Sequence, residues 1–166
     1  MNNVREAIQD KQSFLQCIIE QLASDLLMLE QAVALARDTA THADCLGSSK
    51  YETMGLEASY LAQGQGTRLI EVERSLSYFK QITVNAYTSE VMCSSMLLLA
   101  DEQGLQQLLW VAAEAGGLKV HCGAIEVTVI TPRSPLGRAL MRKNAGDEVE
   151  VHIAGRTRHY EILDVY

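Results

Sequence analysis

Positive charge is scarce in these 166 residues: 14 Lys and Arg stand against 21 Asp and Glu, a net charge of −7 with a pI near 5.1. Tight independent binding to nucleic acid requires clustered cations that displace phosphate counterions, so that class is not expected and a protein partner is. Also missing is any apolar run approaching the ~20 residues that span a bilayer. No N-terminal stretch joins a basic start, an apolar core and a small-residue cleavage site. No membrane association is expected, and the chain reads as cytoplasmic. The four cysteines, at positions 17, 45, 93 and 122, contain no C-x-x-C pair. That spacing fits neither a zinc ribbon nor a disulfide framework, so reduced thiols are expected. His42 with Cys45, and His121 with Cys122, each offer two ligands where a closed zinc site needs four, so neither a structural metal nor a cofactor of the chain's own is expected.

What is present is ordinary globular composition, 48% hydrophobic and 21% charged, enough for one domain or two small ones. From Leu15 onward, Leu15, Ile19, Leu22, Leu26, Leu29, Val33, Ala36 and Ala40 alternate in steps of four and three, the seam of a coiled-coil helix. Thr39, Thr41, Gly47, Ser48 and Ser49 weaken helix propensity, so a turn is expected within residues 41–49. The same spacing returns at Ala58, Ala62, Gln65, Leu69, Val72, Leu76 and Phe79, with Tyr51 and Gly55 extending it backward. Two arms of about 30 residues, each about 45 Å long, therefore form an antiparallel helical hairpin over residues 1–82. Gln65 in the seam is expected to help fix register or to sit at the seam's edge. Gly64-Gln65-Gly66 lacks the preceding strand and the lysine of a phosphate loop and reads as weak helix interior.

Past Lys80 the pattern changes. Short β-branched or alternating segments at 91–99, 108–113, 127–130, 148–153 and 159–165, separated by glycines, read as strands of a compact antiparallel domain over residues 89–166, with 83–88 as the linker. Ser134-Pro135 followed by Leu136, Ala139 and Leu140 is a helix start, a serine cap with proline at the first helical position.

Ser134-Pro135-Leu136-Gly137-Arg138-Ala139-Leu140, then Gly146-Asp147 and the closing Tyr160-Glu161-Ile162 strand, resembles the C-terminal domain of the Gre family in order and spacing. Tyr51 and Glu57-Ala58-Ser59-Tyr60-Leu61 look like part of a divergent Gre hairpin. The resemblance implies an α+β fold: a long N-terminal antiparallel coiled-coil hairpin, and a C-terminal FKBP-like small antiparallel sheet with one short helix. It further implies an RNA polymerase-binding regulator of transcription elongation whose hairpin enters the secondary channel, with Ser134, Pro135, Leu136, Gly137 and Arg138 at the polymerase. The family's tip carries carboxylates that help hold a magnesium ion of the polymerase during transcript cleavage, a task suited to hard oxygen ligands. Setting the family's tip tyrosine on Tyr51 puts its leading aspartate on Asp44, its first glutamate on Gly47 and its second on Lys50. Asp44 is thus the candidate carboxylate, and the pair is incomplete. By this resemblance the chain is no enzyme itself; at most it lends Asp44 to the polymerase and shares its Mg²⁺.

Two other readings compete. The FKBP-like architecture suggests a peptidyl-prolyl isomerase, but fold is not function. A proline pocket is usually aromatic, whereas aromatics are 5% of this chain and Trp110, the sole tryptophan, sits in an expected strand where core packing explains it. The hairpin seam alone would also suit an interaction module with a partner other than polymerase.

Overall fold

The computed structural model of the chain describes residues 11–44, 49–84 and 89–166; for helical residues 40–44, 49–55 and 58 it describes the backbone alone. Contacts divide the chain into two compact units, Ile19–Ser77 and the segment up to Ile18 together with Tyr78–Tyr166. No helix among the described residues is long and apolar enough to cross a membrane.

The first unit is built from two helices, α1 (Lys11–Asp44) and α2 (Ser49–Gln81), whose outermost turns belong to the second unit. No glycine or proline interrupts α1, so 34 residues continue as one helix. The helices run antiparallel: Asp25, Met28 and Leu29 share a groove with Arg68 and Val72, while Val33, Ala34 and Arg37 share another with Ala62, Gln63 and Gly66. Leu22, Val33, Ala36, Val72 and Leu76 are buried along the contact, and Leu26, Leu29 and Leu69 are half-buried. The seam of fours and threes is therefore the face that packs, each fully buried Leu or Val contributing about 1.5–3 kcal/mol. α1 runs to Asp44 and α2 begins at Ser49; the turn expected within 41–49 falls on residues 45–48, which lie outside the described residues. Gln65 Oε1 is buried with no hydrogen-bond partner among the described residues, which carries a desolvation cost of about 1–3 kcal/mol.

The second unit holds a six-stranded sheet: β1 (Met96–Asp101), β2 (Gln106–Val111), β3 (Lys119–Cys122), β4 (Ile125–Ile130), β5 (Glu148–Ile153) and β6 (Arg156–Val165). A short helix, α3 (Pro135–Leu140), lies between β4 and β5 in sequence. The spatial order is β3-β4-β2-β1-β6-β5. As expected, the sheet is mostly antiparallel; the exception is β2 and β4, which pair in parallel from Leu108↔Val127 to Val111↔Ile130. The intervening strand β3, which sequence reading missed, is the reason: it leaves β2 and pairs antiparallel with β4, which brings β4 beside β2 in β2's own direction.

The first strand also starts later than expected, at Met96 rather than residue 91. Ser94 adopts φ 72°, and its N–H donates to the Val111 carbonyl at 2.7 Å, so this stretch turns back across the end of β2. Both faces of the sheet are covered. On one, Leu97, Leu99, Leu109, Val111, Val149, Val151, Tyr160 and Ile162 pack with Leu140 of α3. On the other, fully buried Trp110 meets Phe79 at a ring distance of 6.5 Å, and Lys11 stands 5.5 Å from its ring centre. This double cover explains the near-continuous apolar run Met96-Leu97-Leu98-Leu99-Ala100, all five buried.

The cysteines require a correction. Cys17 of α1 and Cys122 at the end of β3 are joined by a disulfide, against the expectation of reduced thiols. A spacing of 105 residues gave no motif, but α1 and β3 bring the two Cα atoms to 5.9 Å.

Candidate functional site

Three stretches singled out in the sequence meet in the second unit. Ser134 is the N-cap of α3, with φ −65° and ψ 155°. Its Oγ accepts from the Gly137 N–H at 3.0 Å and donates to the Thr131 carbonyl at 2.8 Å. Pro135 occupies the first helical position, where its missing N–H costs nothing. Gly137 is buried, and a Cβ built on it would lie 2.0 Å from the Thr131 carbonyl oxygen. The glycine is therefore required by close approach of two backbone segments, not by its φ. Thr131 heads the stretch that the sequence points to, but its role as the carbonyl that closes on Gly137 is not legible there; the signal is a glycine inside a helix of only six residues, which propensity alone disfavours.

Gly146 and Asp147 clamp onto the last strand. The Gly146 N–H donates to the Ile162 carbonyl at 2.7 Å, and the Ile162 N–H donates to the Asp147 carbonyl at 3.0 Å. Gly146 has φ 89°, a region that favours glycine, and Asp147 Oδ2 accepts from the Asn144 N–H at 2.8 Å. Val91 closes the segment after α3, exchanging bonds with Lys143 and Arg142. The side chains of Leu140, Tyr160 and Ile162 share one core cluster, with Leu136 and Ala139 packed against it.

Of the five residues expected at a partner, then, Ser134 is held in the cap, Gly137 is buried and Leu136 faces the core, while Pro135 and Arg138 are exposed. Arg133, Arg142 and Lys143 are exposed nearby in the chain, and no acidic residue occurs between Glu126 and Asp147. This basic stretch stands out in a chain of net charge −7. Beyond it, Glu126 has its carboxyl held below the usual carboxylate range, first by the Lys119 hydrogen bond at 2.8 Å, then by the charges of Lys119 and His121. Exposed pairs of this kind add little stability.

Asp44 is the last residue of α1, and its side chain lies outside those described, as do those of His42 and Cys45. His121 lies 3.5 Å from Glu126, and Cys122 is in the disulfide, so the second ligand pair raised by the sequence is otherwise engaged. Among the described residues, no group of three or more His, Cys, Asp or Glu side chains is arranged to hold a metal ion.

The family described as transcription elongation factor, GreA/GreB, C-terminal, matches residues 123–166, which contain all three of these stretches. Over 136 residues the chain is 32% identical to the transcription elongation factor GreA of Beijerinckia indica, covering 81% of this chain and 79% of that one. This chain belongs to the GreA/GreB family. The GreA of Ruegeria pomeroyi is 29% identical over the same shares of the two chains. Among solved structures, the GreA factor homolog 1 of Thermus thermophilus is similar at 21% identity, covering 89% of this chain and 94% of that one, with a TM-score of 0.36. In this GreA/GreB member the C-terminal signature is mostly architecture: a cap, a close approach and a clamp that hold α3 against the sheet, with Pro135 and Arg138 left at the surface.

Proposed function

We propose that this GreA/GreB member binds RNA polymerase and regulates transcription elongation in the cytoplasm, its α1–α2 hairpin entering the secondary channel while the α3 segment docks on the enzyme. The observation that carries this reading is the 32% identity with an elongation factor over 81% of the chain. The packed seam of the hairpin and the exposed Pro135 and Arg138 support it. In this reading Ser134, Leu136 and Gly137 act by shaping the segment, and Arg138 supplies a charged contact. The chain catalyses nothing alone.

Asp44, at the end of α1, is the carboxylate that would be lent to a magnesium ion held by the polymerase. Mg²⁺ takes carboxylate oxygens in near-octahedral sites and keeps several waters, so one loaned oxygen orients the ion less firmly than two. With Gly47 and Lys50 at the other tip positions, stimulation of transcript cleavage is weak, and occupation of the channel against other factors is the main effect.

The test is native co-migration with polymerase core, competition with a GreA protein, and RNA cleavage on stalled polymerase by the wild type and Asp44→Ala. Binding and competition with little cleavage, abolished in the variant, is the expected result. Absence of both co-migration and competition would overturn the reading.

A further inference from the structure

The base of α1 is held by more than the disulfide: Phe14 and Ile18 of α1 are buried, and Lys11 Nζ donates to the Tyr166 carbonyl at 2.9 Å. None of these contacts involves sulfur, so they do not depend on the cross-link. Cys122 closes β3, an edge strand paired on one side only, and the next residue opens the turn into β4. Cys17 and Cys122 are both half-buried, which leaves a sulfur within reach of a small thiol or disulfide. When reduced, the Cys122 thiol has a ready acceptor in the Ser13 carbonyl, 3.8 Å away.

We propose that Cys17 and Cys122 form a reversible thiol–disulfide switch whose co-reactant is a low-molecular-weight disulfide of the glutathione type, and whose oxidation staples α1 to strand β3. One protein thiolate attacks a sulfur of the small disulfide, forming a mixed disulfide and expelling one small thiolate. The second protein thiolate then attacks the protein-side sulfur of that mixed disulfide, closing the Cys17–Cys122 bond and expelling the second small thiolate. The two protons lost by the protein thiols end on the two released thiols; the protein is oxidised by two electrons and the small disulfide is reduced by two. Excess small thiol runs the same steps backward. The third described cysteine, Cys93, is exposed and free, and serves as an internal control. The switch does not depend on the polymerase reading and stands or falls by its own test.

The full wild-type chain is equilibrated with excess oxidised or excess reduced glutathione, the native protein is alkylated, and the labelled cysteines are mapped by peptide mass. Under oxidised glutathione, Cys17 and Cys122 are expected to be protected and recovered as one cross-linked peptide pair; under reduced glutathione, both are expected to be labelled, with the small thiol removed before alkylation. In a dithiothreitol-treated sample, exposed Cys93 is expected to be labelled under the same conditions. The oxidised protein should also unfold at a higher temperature by roughly 5–15 °C, because a loop of this length restricts the unfolded chain. Labelling of both cysteines after oxidation, or glutathione adducts in place of the cross-link, overturns the proposal. So does a cross-link that survives excess reduced glutathione, since that bond is a fixed support and no switch.

Discussion

Gly137→Ala places a methyl carbon where the Thr131 carbonyl oxygen already stands. The added Cβ would be 2.0 Å from that oxygen, 2.8 Å from its carbon and 2.9 Å from Ser134 Oγ. Two of these three atoms are backbone, so no side-chain rotation relieves the contact; α3 and the 131–134 turn must separate. Separation loosens the bonds that hold the turn, Ser134 N–H to Thr131 carbonyl at 3.0 Å and Gly137 N–H to Ser134 Oγ at 3.0 Å. Overpacking costs about 1–3 kcal/mol. Weakening the cap adds about 0.5–2 kcal/mol. Alanine's better helix propensity returns about 1 kcal/mol. The net is a loss of about 0.5–4 kcal/mol, with Leu136 and Leu140 pulled from the core as the segment shifts. Urea unfolding followed by far-ultraviolet circular dichroism measures it, as a lower midpoint at unchanged slope. A loss below about 0.5 kcal/mol would mean that the two segments part freely, and the reading of this glycine as a point of close approach would be wrong.

Other substitutions probe the remaining links. Arg138→Ala is expected to leave stability within about 0.5 kcal/mol, because the side chain is exposed, while weakening co-migration with polymerase; normal binding would remove Arg138 from the proposed contact. Gly64→Ala meets nothing within 4 Å of the new Cβ and lies inside α2, so it should stabilise by up to about 1 kcal/mol, and a measured destabilisation would contradict the helix described there. Ala154 sits at φ 51° beside Gly155 in the two-residue turn joining β5 and β6; Ala154→Asn should raise the urea midpoint by a few tenths of a kcal/mol or more, and a lowered midpoint would refute that account. Burial lowers the Lys11 pKa, so between its folded value and the ordinary lysine value the unfolded chain binds more protons, and stability rises with pH there. The stability difference between wild type and Lys11→Met should therefore move in favour of wild type from neutral toward alkaline pH, and a flat or opposite trend in paired urea titrations would sink this assignment.

Elements set by short-range pattern were legible in the chain. Most seam positions from Leu15 to Ala36 and from Ala62 to Phe79 are buried or half-buried, because a helix repeats its facing every three to four residues whatever lies beyond it, while off-seam Phe14, Ile18 and Ser75 are buried as well. Ser134 with Pro135 announced a capped helix for the same local reason: the bond from Gly137 to Ser134 Oγ spans three residues. The strand at 148–153 was read to the residue from its alternation. The strand at Lys119–Cys122 was missed because four residues of mixed polarity carry too little pattern to stand out.

The amino-acid order by itself determined the two helical arms, the capped turn of α3 and the Gre-type signature, since each depends on neighbours a few bonds away. Tertiary structure alone decided the parallel pairing of β2 with β4, the contact that forbids a side chain at Gly137, and the union of Cys17 with Cys122. Each of these is a meeting of separate segments, the sulfurs 105 residues apart, and such meetings are fixed only when burial of a shared core selects one arrangement of the strands.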